Sequence, residues 1–273
     1  MHGTLIRMST VRGARERARI EITAAIKDEA RRQLAAEGAA RLSLRAVARE
    51  LGMVSSALYR YFPSRDDLLT ALIVDAYDSL GAAAEAAYAR TAQTATGAAA
   101  PGAAGRASAV GASANSAAGR AAGPGGAATA TPREQWVEVC GAVRGWALAH
   151  PHEYALIYGS PVPGYSAPAS TIGPASRVGN TLIAIARAAY EGPGLALPPL
   201  PPGLRSEATR MTEDFATGLP PAVAPALVAA WAQLVGLISF ELFGQFHRVV
   251  EERDAFFAHA AGQLAHGVGL LAT

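Results

Sequence analysis

Residues Ser43 to Asp67, SLRAVARELGMVSSALYRYFPSRDD, constrain this chain more than any other stretch. Leu44, Val47, Ala48 and Leu51 stand at i, i+3, i+4 and i+7, one apolar stripe at helical spacing. Gly52 follows, where a left-handed residue ends a helix well. In the next piece Ala57, Leu58 and Phe62 face inward, while Ser55, Ser56, Tyr59, Arg60 and Tyr61 stay polar or amphipathic. Pro63 disfavours helical backbone at Phe62, so this second helix is limited to about two turns. Two short helices, a tight glycine turn and a polar outer face predict a helix-turn-helix whose second helix enters the DNA major groove.

Charge supports a DNA-reading head. Residues 1–65 carry thirteen Lys/Arg against six Asp/Glu, and the remainder eleven against sixteen, so a net +2 conceals a +7 front and a −5 body. Such a split suits a basic head on a body that does not touch nucleic acid. The 273 residues, 51% hydrophobic and 17% charged, suffice for a sizeable core. Cys140 is the only cysteine, which excludes a disulfide framework and a cysteine zinc site and makes a reducing cytoplasm the default. The first twenty residues are arginine-rich without an apolar run, so no secretory signal is expected; Met8 is an alternative start. A charge-free stretch follows Asp214, but prolines to Pro225 leave only Ala226–Phe240, fifteen residues. That is roughly 22 Å of helix against a hydrocarbon core about 30 Å thick, so no membrane span is expected.

Periodicity organises the rest as an all-α chain. Residues 1–15 read as a flexible basic arm, and a first helix runs from Ala18 to Glu37. Ser43 caps the next helix, and Ser64 with Asp67 opens a long one striped by Leu68, Leu69, Leu72, Ile73, Ala76, Tyr77 and Leu80. A DNA-binding domain over 16–80 follows from these limits. Residues 91–131 are Ala, Gly, Ser, Thr and Pro with two arginines, a low-complexity insertion expected to be disordered. The body, 132–273, has helical patterns from Arg133 to His150, Tyr154 to Tyr158, Asn180 to Tyr190, Ala224 to Arg248 and Asp254 to Leu271, with a proline-rich excursion from Gly192 to Gly203. Trp136, Cys140, Trp146, Tyr154, Tyr158, Trp231 and Phe240 either fill a core or line an apolar ligand pocket.

Catalysis finds no support. His150 and His152 lack a third ligand nearby, and no carboxylate is spaced to join His259 and His266, so no metal is expected. No cofactor motif, phosphate loop or nucleophile–histidine arrangement is present.

The run from the first helix through SLRAVARELGM and LYRYFPSRDDLL resembles the DNA-binding domain of TetR-type bacterial regulators, over about sixty residues. WALAHPHEYALIYG and AWAQLVGLISFELFG resemble the body of the subgroup with a WHG-like C-terminal domain. The resemblance implies a homodimer, its last two helices pairing with their mates, and a small-molecule effector that releases a repressor from a near-palindromic operator. Leu242, Phe243, Phe246, Phe257 and Leu264 are the interface residues it suggests. It places phosphate contacts on Ser43, Tyr59, Tyr61 and Arg65, and base contacts on Arg45, Ser55, Ser56 and Ala57; Arg60 is a further DNA candidate. Val54 stands where the family commonly has a serine, so the recognition helix is expected to start later, capped by Ser55. An effector-independent nucleoid-type DNA-binding protein is the rival reading; an enzyme or carrier with a vestigial head is a third.

Overall fold

The computed structural model describes residues 3–96 and 130–272. Among these residues the chain forms ten α-helices and no β-strand, apart from an isolated antiparallel bridge between Leu195 and Leu270. The helices are α1 (Gly3–Glu37), α2 (Leu44–Glu50), α3 (Ser55–Leu58), α4 (Arg65–Thr96), α5 (Pro132–Ala149), α6 (Pro151–Tyr158), α7 (Ile172–Glu191), α8 (Arg205–Phe215), α9 (Val223–Leu242) and α10 (Arg253–Val268).

Several boundaries differ from the sequence-based expectation. The segment read as a flexible arm is helical from Gly3 onward. No proline precedes Pro63, and the cost of Gly13 in a helix interior is only about 1 kcal/mol. Helix α4 runs to Thr96, into the start of the low-complexity stretch, whose residues 97–129 lie outside the described residues. Helix α7 begins at Ile172 rather than Asn180, because Pro174 falls in its first turn, where an N–H partner is not needed. Helix α8 was not anticipated; its stretch is polar, and only Ala208 is buried. Helix α9 starts at Val223, with Pro225 again in the first turn, and ends at Leu242 before a left-handed Gly244. Its twenty residues span about 30 Å, so the fifteen-residue limit was too short. By length and composition alone this helix could cross a membrane; a third of its apolar window is buried in the protein.

The chain divides into two compact units. The first comprises Met1–Ala83, Val143–Asn180 and Ala232–Arg253. Its core joins Ile26, Ala30 and Leu34 of α1 to Val47 of α2, Leu58 of α3, and Leu68, Leu69 and Leu72 of α4. Leu156 and Ile157 of α6, with Val162 and Tyr165 beyond it, pack against the same core. Polar links reinforce this packing. Arg31 reaches Asp28 at 2.7 Å, Asp75 at 2.8 Å and Glu153 at 3.0 Å, while Lys27 holds the other Asp75 oxygen at 2.8 Å. Arg144 donates a two-pronged pair to Glu241, both bonds 2.7 Å, joining α5 to α9.

The second unit comprises Ala84–Ala142, Thr181–Trp231 and Asp254–Thr273. It buries Trp136, Val139 and Cys140 of α5, Leu182 and Ile185 of α7, Leu227 of α9, and Phe257, Ala261 and Leu264 of α10. The proline-rich excursion is pinned at its start: Ala196 N donates to Gly269 O and Leu271 N to Gly194 O, both at 2.9 Å. Gly269, at φ 97°, is required there, since a Cβ would stand 1.9 Å from the Ala196 carbonyl oxygen.

The Arg144–Glu241 pair is nearly dry, with the side chains 13% and 6% exposed. Removing one partner leaves a buried charge uncompensated. Glu241→Ala is therefore expected to destabilise the protein by about 3–5 kcal/mol, and Arg144→Met with Glu241→Leu to recover most of it; denaturant unfolding of the three proteins checks both.

Candidate nucleic-acid interface

Local chemistry builds the head. Ser43 is the N-cap of α2, in extended conformation, and its Oγ accepts the Ala46 N–H at 3.4 Å. After Leu51, Gly52 turns the chain at φ 62°, and Met53 N donates to Ala48 O at 2.8 Å. Helix α3 follows as one turn, extended by hydrogen bonds from Tyr61 N (2.8 Å) and Phe62 N (3.1 Å) to Leu58 O. Leu58 is fully buried and Phe62 nearly so, which fixes which side of α3 faces outward. Ser64 then opens α4: its Oγ donates to Asp67 Oδ2 at 2.7 Å and accepts Asp67 N–H at 3.1 Å.

The residues expected to meet DNA differ in their exposure. Arg45, Ser56 and Arg60 are exposed, Tyr59 is 42% exposed, and Ser55, Ala57 and Tyr61 are half-buried. Tyr61 leans on the head's core through part of its ring. Ser43, Arg45, Tyr59, Ser64 and Arg65 line one shallow surface recess between the starts of α2 and α4. Hydroxyls in such a recess suit a duplex phosphate.

One expectation needs correction. Ser55 does not cap α3: Val54 holds the cap position in extended backbone, no side-chain cap bond forms, and the α-helix starts at Ser55. Val54 is instead 69% exposed at the tip of the recognition helix, an apolar group that the sequence reading weighed only as a missing cap. Arg65, expected to reach a phosphate, is engaged within the head. Its Nη2 donates to Ala39 O at 2.8 Å and Ala40 O at 3.4 Å, its Nε to Leu42 O at 3.2 Å, and its Nη1 lies 3.3 Å from Asp66.

The aromatic residues proposed for a pocket are placed in both units. In the first, Tyr154 is buried, its hydroxyl donating to Val235 O at 3.0 Å and hydrogen-bonded to Ser239 Oγ at 2.9 Å. Its ring tilts against Tyr158 at 5.2 Å, and Trp146 Nε1 donates to Ser79 Oγ at 2.8 Å. In the second, Trp136 and Cys140 are fully buried, and Trp136 Nε1 has no hydrogen-bond partner among the described residues. Phe240 and Trp231 depart from a lining role within the single chain, being 53% and 40% exposed on their own helix. Among the residues expected at a dimer interface, Phe243 is exposed and Leu242 and Phe246 are half-buried. Phe257 and Leu264 are buried inside the subunit, because the apolar stripe of α10 turns inward. Among the described residues no cluster of His, Cys, Asp or Glu suits a metal ion.

Comparison with known proteins agrees with this geometry. Residues 26–72 match the family described as bacterial regulatory proteins, tetR family. Residues 136–264 match the tetracyclin repressor-like C-terminal domain. The chain is 38% identical over 241 residues to the HTH-type transcriptional regulators Mb1846 of Mycobacterium bovis and Rv1816 of Mycobacterium tuberculosis, covering 86% of this chain and 86% of each relative. The chain belongs to the TetR family. It is a transcriptional regulator with a DNA-binding head, and the TetR-type resemblance of its helix-turn-helix is upheld. Among solved structures, one described as a regulatory protein, SCO4313, superposes with a TM-score of 0.66 at 29% identity, covering 92% of this chain and 98% of that one. A protein of unknown function from Rhodococcus sp. RHA1 shares the fold, with a TM-score of 0.60 at 20% identity over 90% of this chain and 95% of that one.

Cys140 lies in the TetR protein's second unit, and burial pushes its thiol up. It stays protonated throughout the physiological range, and thiols in that state are inert. A thiol reagent is expected to label native protein at pH 8 negligibly and the denatured chain stoichiometrically, as mass spectrometry would show.

Proposed function

We propose that this TetR-family protein is a cytoplasmic homodimeric repressor that binds a near-palindromic operator and leaves it when a small apolar or amphipathic ligand binds the body. The observation that carries the DNA-reading part is the outer side of the helix-turn-helix. Arg45, Ser56, Tyr59 and Arg60 stand exposed around a turn whose inner residue, Leu58, is locked in the core. Arg45 offers a bidentate fork to guanine O6/N7, and Val54 and Ala57 offer apolar contact to a thymine methyl. Ser43 and Tyr59 position the head on phosphates.

Apolar groups left exposed along α9 support the dimer: Val228 and Trp231 toward its start, Phe240 near its end and Phe243 just beyond, all more than a third exposed. A second copy of the chain covering them would remove this exposed apolar surface from water. The effector reading is supported by the C-terminal match and by the fully buried Trp136, whose indole N–H has no partner among the described residues. Binding rather than catalysis is the mode of action, in keeping with the names of the relatives.

Selection of duplexes from a random pool by the full-length protein tests this reading. A two-fold consensus with half-sites about one helical turn apart is expected; failure to enrich any sequence at low salt would remove it. On the enriched site, Arg45→Ala should cost about 1–3 kcal/mol and relax preference at one base pair per half-site. Titration of single-base variants of that site measures both effects.

A further inference from the structure

We propose that Arg65 is a positioning residue for DNA reading, a clamp on the loop that presents Ser43 and Arg45, and not a phosphate ligand. This rests on the DNA-binding reading above. The loop between α1 and α2 leaves the helix through Gly38 at φ 80° and winds through one tight turn, Ala39–Arg41. Within it, Gly38 O accepts Arg41 N–H at 3.2 Å and Ala39 O accepts Leu42 N–H at 3.3 Å. Arg65, from the first residue of α4, adds donors to Ala39 O, Ala40 O and Leu42 O. The residue after this clamped segment is Ser43, whose backbone and Oγ set the start of α2. Arg45 lies two residues further on, so its guanidinium is aimed from a backbone that Arg65 holds.

The geometry decides between clamp and phosphate ligand. Nε and Nη2 form one edge of the guanidinium, and both donate into the loop. Nη1 faces Asp66 Oδ1 at 3.3 Å, so a carboxylate already offsets its charge, and the side chain is 29% exposed. A planar fork can bridge several carbonyls at once, whereas an ammonium is a point donor. The role therefore demands arginine rather than any cation.

Salt dependence separates the two roles. A residue that neutralises a phosphate contributes about 0.9 to the slope of log K against log salt. A clamp contributes to affinity without contributing to that slope. The test uses the full chain, a duplex enriched by the wild type from a random pool, and titrations at several salt concentrations. Arg65→Lys and Arg65→Ala are each expected to weaken binding about tenfold, the scale of a lost hydrogen-bonding contact, with the wild-type slope retained. Amide exchange without DNA should speed up at residues 43–46 in both variants. A slope that falls by about 0.9 in Arg65→Ala, or wild-type affinity in Arg65→Lys, would overturn the proposal; so would unchanged exchange at residues 43–46. Should Arg65→Ala fail to fold, Arg65→Lys carries the test alone. If the wild type enriches no duplex, the DNA-binding reading itself fails, a result distinct from either slope.

Discussion

The recognition helix cannot hold itself. Helix α3 has four residues, and an isolated helix shorter than about 12–15 residues is marginal in water. What holds it is the burial of Leu58 and Phe62 in a core built by α1, α2 and α4. Each buried side chain of this kind contributes roughly 1.5–3 kcal/mol, against about 0.5–1.5 kcal/mol for a single hydrogen bond. Because Leu58 points inward, Ser56, Tyr59 and Arg60 are left outward. The proposed reading surface is a by-product of packing.

Arginine forks tie the framework around that core. Arg31 gathers Asp28, Asp75 and Glu153; Arg65 gathers three carbonyls; Arg144 takes both oxygens of Glu241. Partly exposed pairs such as those of Arg31 contribute little stability each. Their effect is geometric: they fix which residue of one helix lies beside which residue of another. The Arg144–Glu241 pair differs because it is dry, and a dry pair is costly to break rather than strongly stabilising.

Much of the head was legible in the sequence because its signals are local. The Leu44–Val47–Ala48–Leu51 stripe, the left-handed Gly52, the Ser43 and Ser64 caps and the inward Leu58 all stand as expected. The body was less legible. Proline in a first turn passes for a break, so α7 was read too short at its start, whereas α9, expected from Ala224 to Arg248, starts at Val223 and ends six residues early at Leu242. The polar α8 buries only Ala208, leaving no stripe to detect.

The sequence by itself determined the helical class, the helix-turn-helix and the family, since repeat spacing, caps and motif residues act over a few positions. Only the tertiary structure decided the partners of Arg65, 23 to 26 residues away, and of Arg31, whose Glu153 is 122 residues away. It also turned Phe257 and Leu264 inward while leaving Trp231 and Phe240 at the surface. Periodicity identifies an apolar face but carries no information about what will cover it. That depends on which distant segments the folded chain brings alongside.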